Sequence, residues 1–370
     1  MYKGGKRRYL PYLLLLAFAA LLILFLMSLA PLISALLALR PETPTLGGGF
    51  SLSRLADATT YSALALREAS SLLRDASAGS LSPEKTKFVE SLIAEAQSSL
   101  NNLTRSLENS GLPPNVKKEM EEKLRKYAVM NEVASGVSSA ALDVDAIRKL
   151  VKDSISGGDA ETLRRVSELI ARLLERLDSL RASVESIRPG DLFSESHAET
   201  LRAAVEDIKR TEAELREWSK LAEVLSKYGD VYESCRALKQ AVQKLAGAES
   251  AEDANKALSR ALEIVARLLS EENKVAEFYE AANSLSPGRA GVFAPEASSV
   301  KSAAVSTKEL EALQNVLKEV AELMSQGLPP QDALLKALKE VGESGGLLEY
   351  LRSVLSSQGA GASLEPRERG

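Results

Sequence analysis

Eight apolar residues in strict three-four alternation constrain this chain more than any other feature: Leu163, Val166, Ile170, Leu173, Leu177, Leu180, Val184 and Ile187. That spacing returns each side chain to one face of an α-helix. A strand, whose faces alternate every second residue, has no use for it. Asp159 stands where a carboxylate accepts the free first-turn N–H groups, and Pro189-Gly190 stops the run. Leu169 and Leu174 flank this helix-packing seam and widen it, which favours a bundle over a lone two-stranded coiled coil.

The pattern recurs along the chain. Val89, Ile93, Ala96, Leu100, Leu103 and Leu107 follow a Ser82-Pro83 start, with proline at the first helical position. Leu201, Ala204, Ile208, Thr211, Leu215, Trp218, Ala222 and Leu225 make another seam. A third is Leu258, Ala261, Val265, Leu268, Val275 and Tyr279, interrupted at Glu272, and a shorter fourth is Leu310, Leu313, Leu317, Val320 and Met324. Glu161–Arg165, Glu168–Arg172 and Glu212–Arg216 are spaced to pair along helix faces. No alternating β-branched run and no Asn-Gly or Asp-Gly hairpin turn is present. The predicted class is all-α, an elongated antiparallel helical bundle with coiled-coil-like seams. Gly111–Pro114, Gly157-Gly158, Pro189-Gly190 and Gly229-Asp230 are its short breaks, and short links make successive helices antiparallel neighbours.

The N-terminus sets the expected location. Leu10 to Leu39 carries no charged side chain, and about 20 apolar helical residues span a bilayer core. Lys3, Lys6, Arg7 and Arg8 precede it, and positive flanks stay cytoplasmic. An uncleaved, single-pass signal anchor in the cell membrane follows, with the body extracytoplasmic. A cleaved leader has an apolar region of only about 7–15 residues. The organisation expected is a basic tail at 1–9, a transmembrane anchor at 10–39, a flexible tether at 40–50 and a helical bundle at 51–285. A linker at 286–306, a small helical unit at 307–357 and a disordered tail at 358–370 complete it.

Composition narrows the function. One Cys and one His leave no disulfide framework, no two-His site and no multi-Cys metal site. Five of the 47 basic residues, ending at Arg40, precede residue 41, and all 51 acidic residues follow it. The body thus carries about nine net negative charges, and nucleic acid is not an expected partner. No phosphate-binding, dinucleotide, nucleophile-elbow or zinc-protease motif occurs, so no enzyme, cofactor or small-molecule ligand is expected. His197 is read as an exposed surface residue, Cys235 as a buried helical cysteine, and Trp218 and Tyr228 as core residues. Asn102-Leu103-Thr104 is a glycosylation sequon. The leading expectation is a membrane-anchored spacer, scaffold or accessory subunit of a membrane or cell-surface complex. Its partners are the bilayer, through 10–39, and another protein or a second copy through the seams. The alternative is a helical ectodomain that binds a ligand or partner and signals through another membrane subunit, with Ser286–Ser306 and Trp218–Tyr232 as contact segments.

Overall fold

A computed structural model describes residues 50–157, 160–248 and 250–340, together with 346, 348–349, 351–353 and 355. The basic tail (Lys3, Lys6, Arg7, Arg8), the 10–39 anchor, all of the tether except Phe50, the Asp159 cap and the tail at 358–370 lie outside the described residues. Among the described residues no helix is long and apolar enough to cross a membrane.

The described chain is all-helical, with no strand. Its α-helices are α1 (Leu52–Ala78), α2 (Pro83–Glu108), α3 (Pro114–Gly157), α4 (Ala160–Glu185), α5 (Glu195–Ala246), α6 (Ala251–Ser270), α7 (Glu272–Asn283), α8 (Ala294–Ala303), α9 (Thr307–Ser325) and α10 (Pro330–Glu340). Ser51, Ser82, Ser194, Ser250 and Ser306 cap α1, α2, α5, α6 and α9, each hydroxyl accepting a first-turn N–H.

Helices α1 to α4 and the first half of α5 form one bundle, with α1 against α2, α3 and α5. The second half of α5 carries α6, α7 and α8, and α9 packs on α6 and α10. α5 therefore runs through both halves of the molecule. The main seam is placed as its spacing requires. Leu163, Val166, Ile170, Leu173, Leu177, Val184 and Ile187 are buried, each worth about 1.5–3 kcal/mol on removal from water. Leu180 is half-buried, close over Gly136 of α3, where an added Cβ would lie 2.5 Å from Leu180 Cδ2. Glu161–Arg165 and Glu212–Arg216 pair at 2.8 and 3.5 Å.

Four expectations change. Phe50, assigned to the tether, is fully buried, because its ring finds the bundle core. At Gly229-Asp230 the helix does not end: α5 continues through a kink, since neither residue lacks an N–H or blocks the helix as proline does. In the third seam the interruption falls at Glu271, and the register slips by one residue, burying Phe278 and leaving Tyr279 36% exposed. The segment 286–306 is no open linker. It folds as two 3₁₀ turns (Pro287–Arg289, Gly291–Phe293) followed by α8, with Ala290, Phe293, Val300 and Val305 buried.

That segment lies across the C-terminal end of α1 like a strap. Trp218 Nε1 donates to Ala290 O at 2.9 Å, and Glu217 Oε2 accepts from Ser286 N at 2.8 Å. The Trp218 and Phe293 rings meet edge-to-face at 5.2 Å. Gly291 has φ +56°, a backbone conformation that favours glycine, and a Cβ there would lie 3.0 Å from the Glu214 carboxyl.

Candidate ligand-binding site

Tyr228 breaks the regular geometry of α5, with φ −124° and ψ 20°. Its hydroxyl donates to Glu277 Oε2 at 2.8 Å, and Lys227 Nζ donates to the same oxygen at 3.0 Å. The Tyr228 ring lies against Phe278 at 6.2 Å between centroids. These contacts tie the kink to α7. One residue further on, a Cβ added at Gly229 would meet nothing within 4 Å.

The kink borders a cleft of about 400 Å³. Its other walls are the end of α3, the start of α4 and one side of α8. Ile155, Leu163, Leu225 and Val300 supply an apolar floor, and Ser226, Asp230, Tyr232, Glu233, Arg236, Glu296 and Ser299 supply polar groups. Tyr232 OH and Ser299 Oγ lie 3.2 Å apart and join the α5 and α8 walls. Small-ligand pockets occupy about 300–1,000 Å³, with a mainly apolar lining and a few placed polar groups. Larger depressions, of about 640 Å³ beside the 189–191 turn and about 770 Å³ between α5 and α6, are lined mostly by charged side chains, glycine and alanine.

Charge in the cleft is unbalanced. Lys227 is engaged by Glu277, and Arg236 Nη1 lies 3.5 Å from Glu233 Oε1. The carboxylates of Asp230 and Glu296 have no cationic partner among the described residues. Glu296 Oε2 is also buried without any hydrogen-bond partner. Buried polar atoms are nearly always bonded, so this oxygen, closed off within the α8 wall, is an exception.

The two segments proposed from the sequence as contact regions are brought together here. Leu225–Tyr232 forms one wall and Glu296–Val300 another. Trp218 lies deeper, fully buried under the strap, as its place in a seam predicts. Ser154 and Ile155 were invisible to sequence reading, because nothing in their spacing announces which distant helix they face; Glu296 was reached only as part of the 286–306 segment.

The remaining candidates fall elsewhere. Cys235 is fully buried, and burial pushes its thiol up to about 12. His197 is half-buried, not exposed: its Nδ1 lies 2.8 Å from Tyr127 OH, and the two rings pack edge-to-face at 5.5 Å. The Phe193 amide donates to the same hydroxyl at 3.0 Å. The partner is 70 residues away along the chain, so the acidic neighbours Glu195 and Glu199 gave no hint of it. Asn102 is exposed on α2, and Thr104 Oγ1 of its sequon donates to Leu100 O at 2.9 Å. Among the described residues no group of three or more His, Cys, Asp or Glu side chains is placed to hold a metal.

Comparison with known proteins finds no matching protein-family model, no matching curated protein and no matching solved structure.

Proposed function

We propose that this chain is a membrane-anchored helical binding subunit. Residues 10–39 hold it in the bilayer, the body lies on the extracytoplasmic side, and the cleft at the α5 kink is where it captures a ligand. The reading departs from the expectation that no small molecule binds. The observation that carries it is the convergence of Leu225–Tyr232 and Glu296–Val300 on one partly apolar cleft. A spacer needs only length and a surface, and has no use for such a cavity.

The helices still supply reach. α1 spans 27 residues, about 40 Å at 1.5 Å per residue, and Gly79, just past its end, lies beside Arg148. The cleft begins at Ser154, beyond that point, so it stands off from the tether by at least the length of α1. Capture reaches the other side of the membrane through a partner's transmembrane helix.

A small-molecule fragment screen by thermal shift on the full chain in detergent tests this. Gly229→Leu serves as the control, because it fills the cleft from a position with open space around it. Stabilisers whose effect disappears in Gly229→Leu support the reading. A screen in which no effect depends on residue 229 overturns it and leaves the spacer.

A further inference from the structure

We propose that the end of the bundle where α1 begins seats against the bilayer surface, with Arg125 and Arg188 taking phospholipid phosphates. This rests on the membrane anchor of the reading above and adds a second, peripheral contact made by the folded body. Chain length starts the argument. Ten residues, 40–49, separate the uncharged run from Phe50, and ten residues extend to about 35 Å at most. Phe50 and Ser51 are buried in the body, so the start of α1 stays within that reach of the anchor.

Two other elements share this end. Lys85, at the beginning of α2, bonds Asp75 and Ser71 near the end of α1. The two helices, of 26 and 27 residues, therefore run antiparallel, and the end of α2 returns to the start of α1. α3 leaves from the same place, after the turn at 109–113. The edge so formed is apolar: Leu52 is 55% exposed, Pro113 and Pro114 are exposed, and Leu112 is half-buried. On the α4 side the end is set back. The 189–191 turn meets α3 at Lys126, whose Nζ lies 3.9 Å from Asp191 Oδ2, about 18 Å along α3 from its start. The depression of about 640 Å³ lies on this slope. Beside it the partly exposed Phe193 ring has Lys123 Nζ 5.1 Å from its centroid. A slope laid on a flat surface brings the apolar edge and the Phe193 turn down together.

Charge decides which surface fits. Lys123 and Lys126 are paired with Glu119 and Asp191. Among the described residues Glu122 has no cationic partner, and neither Arg125 nor Arg188 has a carboxylate. Two uncompensated guanidinium forks against one carboxylate suit phosphate, which arginine holds with paired hydrogen bonds. Apolar side chains beside cations are the pattern of a surface resting in the headgroup boundary. The cleft, at the other end of α3, then faces away from the lipid.

The test uses the full chain reconstituted in vesicles of phosphatidylcholine and phosphatidylglycerol in equal parts, with and without a lipid spin-labelled at the top of its acyl chain. An environment-sensitive fluorophore is attached at Pro113→Cys, or at Lys87→Cys near the opposite end of α2, each in a Cys235→Ala background. At a seating depth of about 5–10 Å, the label at 113 is expected to lose about half its emission to the spin label, and the label at 87 to lose none. Arg125→Glu with Arg188→Glu, both exposed positions, is expected to reduce that loss about twofold or more without changing the melting temperature in detergent. Flotation of the vesicles on a density gradient reads the anchor separately. A chain that floats with 113 no more quenched than 87 overturns the contact and leaves the anchor standing; a chain that does not float removes both. Quenching at 113 that is unchanged in the double variant overturns the assignment to phosphate. A blue shift at 113 without quenching, lost on dilution of the chain into excess lipid, gives the surface to a second copy and overturns the proposal.

Discussion

Side chains that sequence reading singles out for chemistry turn out to be held in place by burial, and each makes a measurable prediction. Cys235 is enclosed, and its thiol is pushed up to about 12 chiefly by loss of solvent, against a smaller opposing effect of Lys239. The thiolate is the reactive form, so the native protein is expected to be silent toward a thiol-reactive chromogenic disulfide at pH 8. One equivalent per chain reacts once denaturant is added. Rapid labelling of the folded protein would contradict the burial. His197 makes a prediction about pH. Burial holds its imidazole below the ordinary histidine value, and the Tyr127 hydroxyl, accepting from the Phe193 amide, is free to donate to a neutral Nδ1. Charge nearby comes from Lys123, over the Phe193 ring at 5.1 Å, and from the Lys126–Asp191 pair. A depressed histidine binds its proton less readily in the folded chain than in the unfolded one. Stability therefore falls as pH drops through the unfolded value of about 6.5, and the loss is complete below the folded value. The melting temperature of the wild type is expected to fall more steeply between pH 7.5 and 5 than that of His197→Gln. Equal slopes would remove the histidine from the linkage.

At the scale of elements, the strap at 286–306 joins the two halves of the molecule and is held by few groups. Trp218→Phe keeps the ring against Phe293 but deletes the hydrogen bond to Ala290 O, leaving that buried carbonyl without the donor. The cost is about 1–3 kcal/mol. Amide exchange in 286–306 is expected to accelerate while exchange in α1 to α4 stays as in the wild type. Unchanged exchange in the strap would mean that packing alone holds it. The strap also shows where sequence reading loses its grip. Its Gly and Pro residues announce a break in the helices, but Ser286, Ala290 and Phe293 are held by Glu217 and Trp218, about 70 residues away. The α4 seam was legible because bulky residues repeat on one face of a surface helix. α1 was not, because it packs on three neighbours through Ala, Ser and Thr. Thr59, Ser62 and Ser70 bury their hydroxyls by donating to carbonyls four residues back, at 2.9, 3.0 and 2.9 Å. Small residues on every face give no periodic hydrophobic signal. The same reasoning covers Gly136, whose missing side chain lets α3 approach Leu180 of α4.

For the whole molecule, the seams that suggested self-association are consumed within one chain, since nearly every residue of the main seam is buried by α3 and α5. What remains for partners is the outer surface, the cleft and the direction in which the body is presented. The direction expected from the charge asymmetry around residues 10–39 decides whether the cleft meets extracellular or cytoplasmic molecules. The native cysteine cannot report it, being buried. Ser98, exposed on α2, is a suitable replacement: Ser98→Cys in a Cys235→Ala background places one accessible thiol on the body. With basic residues retained on the cytoplasmic side, a membrane-impermeant maleimide is expected to label this variant in intact cells to the same extent as after lysis. In a host that glycosylates exported chains, the wild type is expected to gain one glycan, absent from Asn102→Gln. Because Thr104 is bonded within the folded helix, that glycan must be added before α2 forms. Labelling only after lysis, with no glycan, would place the cleft inside the cell.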